Sequence, residues 1–99
     1  MNMQALMQQA KKMQKDLEKK QEELANKHFV GKSELVEAEV TGDKKVLSVN
    51  IKLEGNIDND DKEMLQDMIV LALNDAFKQA DAEKEKSLGA YGNQFGGLF

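Results

Sequence analysis

The chain contains no cysteine and no arginine, and His28 is its only imidazole. Without cysteine there is neither a disulfide framework nor a thiolate zinc site, and a reducing compartment such as the cytoplasm fits. Without arginine, the usual bidentate reader of guanine is missing, so recognition of particular bases is hard to build. His28 stands beside Phe29 with no second histidine and no evident partner. It reads as structural or merely exposed, and a serine-type nucleophilic triad is effectively excluded. The longest apolar run, Met68 to Leu73, falls far short of the roughly 20 residues that span a bilayer. A secretory signal is not expected either, because the opening residues lack a basic n-region and a continuous apolar h-region. Gly31, Gly42 and Gly55 stand singly, which suits turns and supplies no loop to cradle a phosphate.

What is present is a soluble, globular balance of 40% hydrophobic and 32% charged residues in 99 positions, enough for one small domain but not for a multilayered interior. The formal charge of −4 is unevenly spread. Residues 1–32 hold seven lysines against four acids, a net of plus three, and the remainder holds seven lysines against fourteen acids, a net of minus seven. The front is basic and the back acidic, which matters for any polyanionic partner.

Met3, Leu6, Met7, Ala10, Met13, Leu17 and Leu24 recur at spacings of three and four, which predicts a long amphipathic helix over about 3–26. Lys20 and Lys27 break its heptad series, so a full-length coiled coil is not expected. From Lys27 the period changes to two. Val36, Ala38 and Val40 alternate with Glu37, Glu39 and Thr41, and Leu47, Val49, Ile51 and Leu53 alternate with Ser48, Asn50 and Lys52, two strands each with one apolar face. Gly42-Asp43 supplies the turn between them, and a weaker first strand is read around His28 to Lys32. A polar loop, 54–59, leads into a second helix over about 60–87. Asp60 is the expected cap, with Glu63 three residues on to complete a capping box, and Ser87-Leu88-Gly89 the expected end, Gly89 taking a left-handed conformation. Residues 89–99, rich in glycine and aromatics, read as a flexible tail.

The stretch "DDKEMLQDMIVLALNDAFKQA", residues 60–80, carries apolar side chains over roughly 260° of a helical wheel, far more than the stripe a little over about 100° wide of an ordinary surface helix. Asp75 and Gln79 interrupt that sweep. So small a chain cannot cover the helix from two directions alone, so a second chain is the better candidate. With two helices on one sheet face and exposed sheet edges, the expectation is an α+β two-layer domain that forms a two-fold dimer.

Groups suited to catalysis are few. Asp58, Asp60, Asp61 and Glu63 lack EF-hand spacing, since Glu63 stands where glycine and Ile69 where a bidentate glutamate is needed; helix capping is the simpler account. Lys11, Lys12, Lys15 and Lys19 share a sector of about 100° on the first helix, with Lys20 and Lys27 on its other flank. Such a row tracks phosphates, although a solvated face laced with Asp16, Glu18, Glu22 and Glu23 explains the charge pattern alone more simply. Tyr91, Phe95 and Phe99 offer stacking surfaces for bases or a partner, but a flexible tail is the commoner meaning of such composition.

The segment "DDKEMLQDMIVLALNDA", Asp60 to Ala76, resembles the signature of the YbaB/EbfC family of bacterial nucleoid-associated proteins. The likeness extends to "MQALMQQAKKMQKDLEKKQEELA" at the front, to the "LVEAEVTGDKKVLSVNI" hairpin and to the glycine-rich tail, and so covers nearly the whole chain. The resemblance implies a helix, three-stranded antiparallel sheet, helix fold in a single domain, 1–88, that forms a homodimer with projecting helices. It further implies DNA as partner and a nucleoid location in the cytoplasm, and with catalytic groups so few neither enzymatic activity nor a cofactor is expected. It raises Lys11, Lys12, Lys15, Lys19 and Lys20 to expected phosphate contacts. It leaves Leu65, Ile69, Leu73 and Phe77, with Leu47, Val49 and Ile51 of the sheet, as core or dimer packing. The competing reading is a protein-interaction module that presents Met3, Met7 and Met13; a metal-dependent nuclease is a distant third.

Overall fold

A computed structural model describes residues 2–95 of the chain, and the side chains as far as Gly89. Helix α1 (Met3–Asn26) leads into strands β1 (His28–Lys32), β2 (Val36–Thr41) and β3 (Val46–Ile51), followed by helix α2 (Asp61–Phe95). The sheet is antiparallel in the order β1-β2-β3. The fold is therefore the expected helix, three-stranded sheet, helix.

Period-two patterning decides which sheet face is buried. Register places Phe29 opposite Val40 and Gly31 opposite Ala38, with Ile51 opposite Val36 and Val49 opposite Ala38. One face thus carries Phe29, Val36, Ala38 and Val40, all buried, and α2 lies on it. Ala72, Ala76 and Ala80 recur every four residues and are buried against this face. Small side chains there let the helix approach closely. Gly31 completes the fit, since a Cβ at that position would lie 2.1 Å from the Ala72 carbonyl oxygen and 2.4 Å from the Ala76 nitrogen.

Two of the three glycines expected to serve turns, Gly31 and Gly42, thus do something else, whereas Gly55 has the positive φ, 88°, that a turn favours. In the β2–β3 hairpin the residue with positive φ is Lys44, at 70°. Gly42 is needed because a Cβ there would stand 1.7 Å from the Leu24 carbonyl oxygen, so it lets the hairpin seat against the last turn of α1. A bulge at Glu39/Val40 leaves Leu47 without a residue directly opposite.

Asp75 and Gln79, which interrupt the apolar sweep of α2, close the outer edge of β1. The Lys32 backbone N–H donates to Asp75 Oδ2 (3.0 Å) and Gln79 Nε2 donates to the Val30 carbonyl (2.9 Å). Two edge groups that would otherwise invite another strand are thus satisfied within the chain.

Both ends of α2 differ from expectation. Asp58, not Asp60, is the cap: its Oδ1 accepts from the backbone N–H groups of Asp60 (3.0 Å) and Asp61 (3.3 Å), and Asp61 Oδ2 accepts in return from the Asp58 N–H (3.3 Å). The capping box is Asp58/Asp61, displaced by two residues because the first turn begins inside the loop. Asp58→Ala should therefore lower stability by about 1 kcal/mol, and Asp60→Ala by much less, in paired urea titrations. At the other end α2 runs through Gly89 to Phe95. Gly89 does not have positive φ, and one glycine without a following proline lowers helix stability without ending it. The remainder of the expected tail, residues 96–99, lies outside the described residues.

Candidate nucleic-acid interface

Helix α1 has 24 residues, about 36 Å at 1.5 Å per residue, and only its last turns are packed. Leu24 is buried, and with Ala25, Gly42, Lys84 and Leu88 it lines one small cleft. The Gly42 N–H donates to the Lys27 carbonyl (2.9 Å), and Lys27 Nζ donates to Glu83 Oε1 (3.1 Å). That bond holds the Glu83 carboxyl below its ordinary value of 4.5. Nearly everything before Leu24 is exposed, Met13, Leu17 and Lys20 being half-buried. The molecule is consequently 71 Å long, with a radius of gyration of 19.8 Å, against about 13 Å for a compact domain of this size. The start of α1 is capped by the Asn2 side chain, which accepts from the Gln4 N–H (3.0 Å), and its first turn holds no acid.

Lysines fall into two populations. In the body, Lys27, Lys32, Lys44, Lys45 and Lys52 each have a carboxylate partner: Glu83 at 3.1 Å, Glu37 at 3.6 Å, Asp81, Asp43 at 3.6 Å, and Glu37 at 2.6 Å respectively. Lys27 and Lys44 also sit over the rings of Phe29 (5.8 Å) and Phe77 (5.4 Å). The Lys52 hydrogen bond draws the Glu37 carboxyl down, and the Thr41 hydroxyl does the same for Asp43, with Lys45 adding to it. On the helices the situation reverses, and Lys62, Lys78, Lys84 and Lys86 of α2 have no carboxylate within 4.0 Å among the described residues. Among the described residues, none of Lys11, Lys12, Lys15, Lys19 and Lys20 has a carboxylate within 4.0 Å. Lys11, Lys12, Lys15 and Lys19 are exposed; Lys20 is half-buried, in a hollow with Glu23, Lys27, Glu83 and Ser87.

The other sequence-derived residues divide in a comparable way. Leu65 is buried, and Ile69, Leu73 and Phe77 are half-buried against the sheet. Leu47, Val49 and Ile51 are exposed, so within one chain they are not core. Helix α2 covers β1 and β2, while β3 extends beyond it with every residue exposed. His28 is exposed on the opposite face of the sheet, its Nδ1 2.7 Å from Glu39 Oε1, a partner the sequence does not reveal because it comes from the neighbouring strand. Asp58 and Asp61 serve the helix cap, which accounts for the acidic cluster. The side chains of Tyr91, Phe95 and Phe99 lie outside the described ones. No helix among the described residues is long and apolar enough to cross a membrane.

An exposed rod whose lysines have no carboxylate partner among the described residues, and whose first 15 residues hold no acid, is an arrangement suited to a polyanion. The comparisons with known proteins agree. Residues 1–95 match the model of the YbaB/EbfC DNA-binding family. The chain is 54% identical over 93 residues to a nucleoid-associated protein, str1598, of Streptococcus thermophilus, covering 92% of this chain and 93% of that one. It is 50% identical over the same length and coverage to the nucleoid-associated protein SUB1611 of Streptococcus uberis. In fold it resembles the crystal structure of an uncharacterized protein, HP0035, from Helicobacter pylori, with a TM-score of 0.67 at 22% identity over 97% of this chain and 99% of that one.

Proposed function

Because the chain belongs to the YbaB/EbfC DNA-binding family, we propose that it is a nucleoid-associated protein that binds DNA through the phosphate backbone, using the lysines of α1. The observation that carries this reading is the exposed rod of α1, on which Lys11, Lys12, Lys15, Lys19 and Lys20 have no carboxylate within 4.0 Å among the described residues, whereas the lysines around the sheet are paired. A lysine ammonium is a compact charge that neutralises phosphate without reading a base edge, and no arginine is present to add such reading. The role is binding, not catalysis, and its site is the nucleoid within the cytoplasm. Binding should be tolerant of sequence and steeply weakened by salt, with log K falling by about 0.9 for each phosphate contacted per tenfold rise in salt. Gel-shift titrations of unrelated duplexes at several salt concentrations test this. Affinities within about tenfold of one another, with a steep common slope, are expected; no retardation at low salt contradicts the reading.

The active form in this reading is a homodimer. Val46, Val49 and Ile51 of β3 are 49%, 39% and 37% exposed, and by register Val49 and Ile51 share the face that α2 buries on β2. Val70 of α2, 54% exposed, stands near Leu73 on the helical wheel and extends this open apolar surface. The edge of β1 is closed by Asp75 and Gln79, whereas no described element covers β3. A second copy placed over β3 hides these side chains and sets two cationic rods on one particle. Replacing both Val49 and Ile51 with aspartate removes about 1.5 kcal/mol or more of apolar burial per residue and should halve the mass measured by sedimentation equilibrium. A wild-type chain that is monomeric at micromolar concentration contradicts the dimer.

A further inference from the structure

Two exposed apolar stripes, on segments of opposite charge, stand at opposite ends of the molecule, and neither sheet packing nor phosphate binding uses them. The first lies on α1, where Met3 (73% exposed), Leu6 and Met7 (57% exposed) begin a line continued by Ala10 and Met13. Residues 1–15 contain Lys11, Lys12 and Lys15 and no acid; on the wheel Lys11 stands beside Met7, and Lys12 and Lys15 lie on the far side of the helix. The second lies on α2. Met64 and Leu71 are exposed, Leu71 by 60%, and seven residues of separation puts them on one line along the helix. On the wheel Asp67 flanks that line on one side and Asp75 on the other, with Asp60 just before the start of the helix. Because Asp75 and the Met68 carbonyl hold Lys32 and Ser33 at the edge of β1, Met64 and Leu71 lie beyond that edge and away from β3. Lys78 bounds the line one heptad step further on.

Within one chain the stripes cannot meet. Counting from the cleft that Leu24 and Leu88 share, Met3 lies about 31 Å along α1 in one direction and Met64 about 36 Å along α2 in the other, in keeping with the 71 Å length. Between copies they are complementary in both respects, apolar to apolar and ammonium to carboxylate. Tip against tip would instead set lysines against lysines. We infer that the tip of α1 docks on the Met64–Leu71 line of another copy, head to tail. Such a contact is heterologous, so it does not close on itself and links particles into open chains. It uses surface separate from β3 and stands whether or not the two-fold pairing over β3 exists.

Sedimentation velocity in the absence of DNA tests it. Wild-type protein should form species that grow with concentration at low salt, and the apparent association constant should fall at least about tenfold between about 0.05 and 0.5 M salt as the charge pairs are screened. Two variants at exposed positions separate the halves of the contact: Leu6→Asp with Met7→Asp removes the tip, and Leu71→Lys removes the line, circular dichroism confirming the fold of each. Each variant alone should stop at its smallest species, and mixing them should restore assembly, because one supplies an intact line and the other an intact tip. A mixture that forms extended chains supports both this contact and the pairing over β3. A mixture that stops at one complex of two chains supports this contact and overturns that pairing. A single concentration-independent species for the wild type, undiminished assembly by the Leu71→Lys variant alone, or a mixture that fails to assemble overturns the head-to-tail contact.

Discussion

Replacing Lys11, Lys12, Lys15 and Lys19 together with glutamate is expected to abolish DNA retardation at about 0.1 M salt, a loss of about a thousandfold or more in affinity. The size follows from what each side chain does on the rod. Among the described residues none has a carboxylate within 4.0 Å, so each ammonium is available to displace a counterion from DNA. Reversal removes that attraction and adds repulsion. The neutral variant, all four changed to glutamine, isolates the first effect: the slope of log K against log salt should shrink by about 0.9 for every lysine that contacted a phosphate. Folding should be spared, because glutamate, glutamine and lysine have similar helix propensities and these positions are exposed. Unchanged far-ultraviolet dichroism beside unchanged DNA affinity would remove the rod as the binding element. Reversing Lys32 and Lys52 is the comparison, since both already pair with Glu37 and should matter far less to binding.

Gly31→Ala should produce the largest loss of stability of any single methyl addition in the chain's body. The added Cβ would stand 2.1 Å from the carbonyl oxygen of Ala72 and 2.8 Å from the Cβ of Ala76, so relief requires α2 to lift off the sheet. Overpacking usually costs about 1–3 kcal/mol, and a collision with helix backbone belongs at or above the top of that range. A domain of this size melts about 4–8 °C lower per kcal/mol, so a fall of at least about 12 °C is expected by calorimetry. Gly42→Ala meets a closer obstacle still, the Leu24 carbonyl oxygen at 1.7 Å, but in α1, which has few other contacts. Its expected signature is early proteolysis of α1 with the sheet and α2 still protected. Gly89→Ala supplies the opposite sign. Nothing lies within 4 Å of the Cβ position and the residue is inside α2, so a gain of about 0.5–1 kcal/mol is expected; a left-handed helix end at Gly89 would give a loss instead.

The element order was legible in the sequence because it rests on periodicity. Met3 to Leu24 repeats at three and four, Val36 to Val40 at two, and each pattern has one backbone conformation that segregates it. The lysine row was legible for the same reason. What those lysines lack was not, since an ion pair such as Lys44 with Asp81 joins residues 37 apart and no local pattern announces it. The cap was misplaced by two residues because Asp58, Asp60 and Asp61 are chemically interchangeable at that step, and only the course of the loop selects Asp58. Gly31 and Gly42 read as turn residues because isolated glycine carries the same letter whether it frees a dihedral angle or makes room for a neighbour.

By itself the sequence determined which segments are helix and strand, which faces are apolar, and that the cations gather at the front of the chain, because these depend on residues a few positions apart. Only the tertiary structure decided that the cations of α1 stand unpaired among the described residues while those around the sheet are paired, that Asp75 and Gln79 bond to the outer edge of β1, and that β3 is left bare. Each of these depends on which distant residues are brought within a few ångströms, a distance that chain order does not encode.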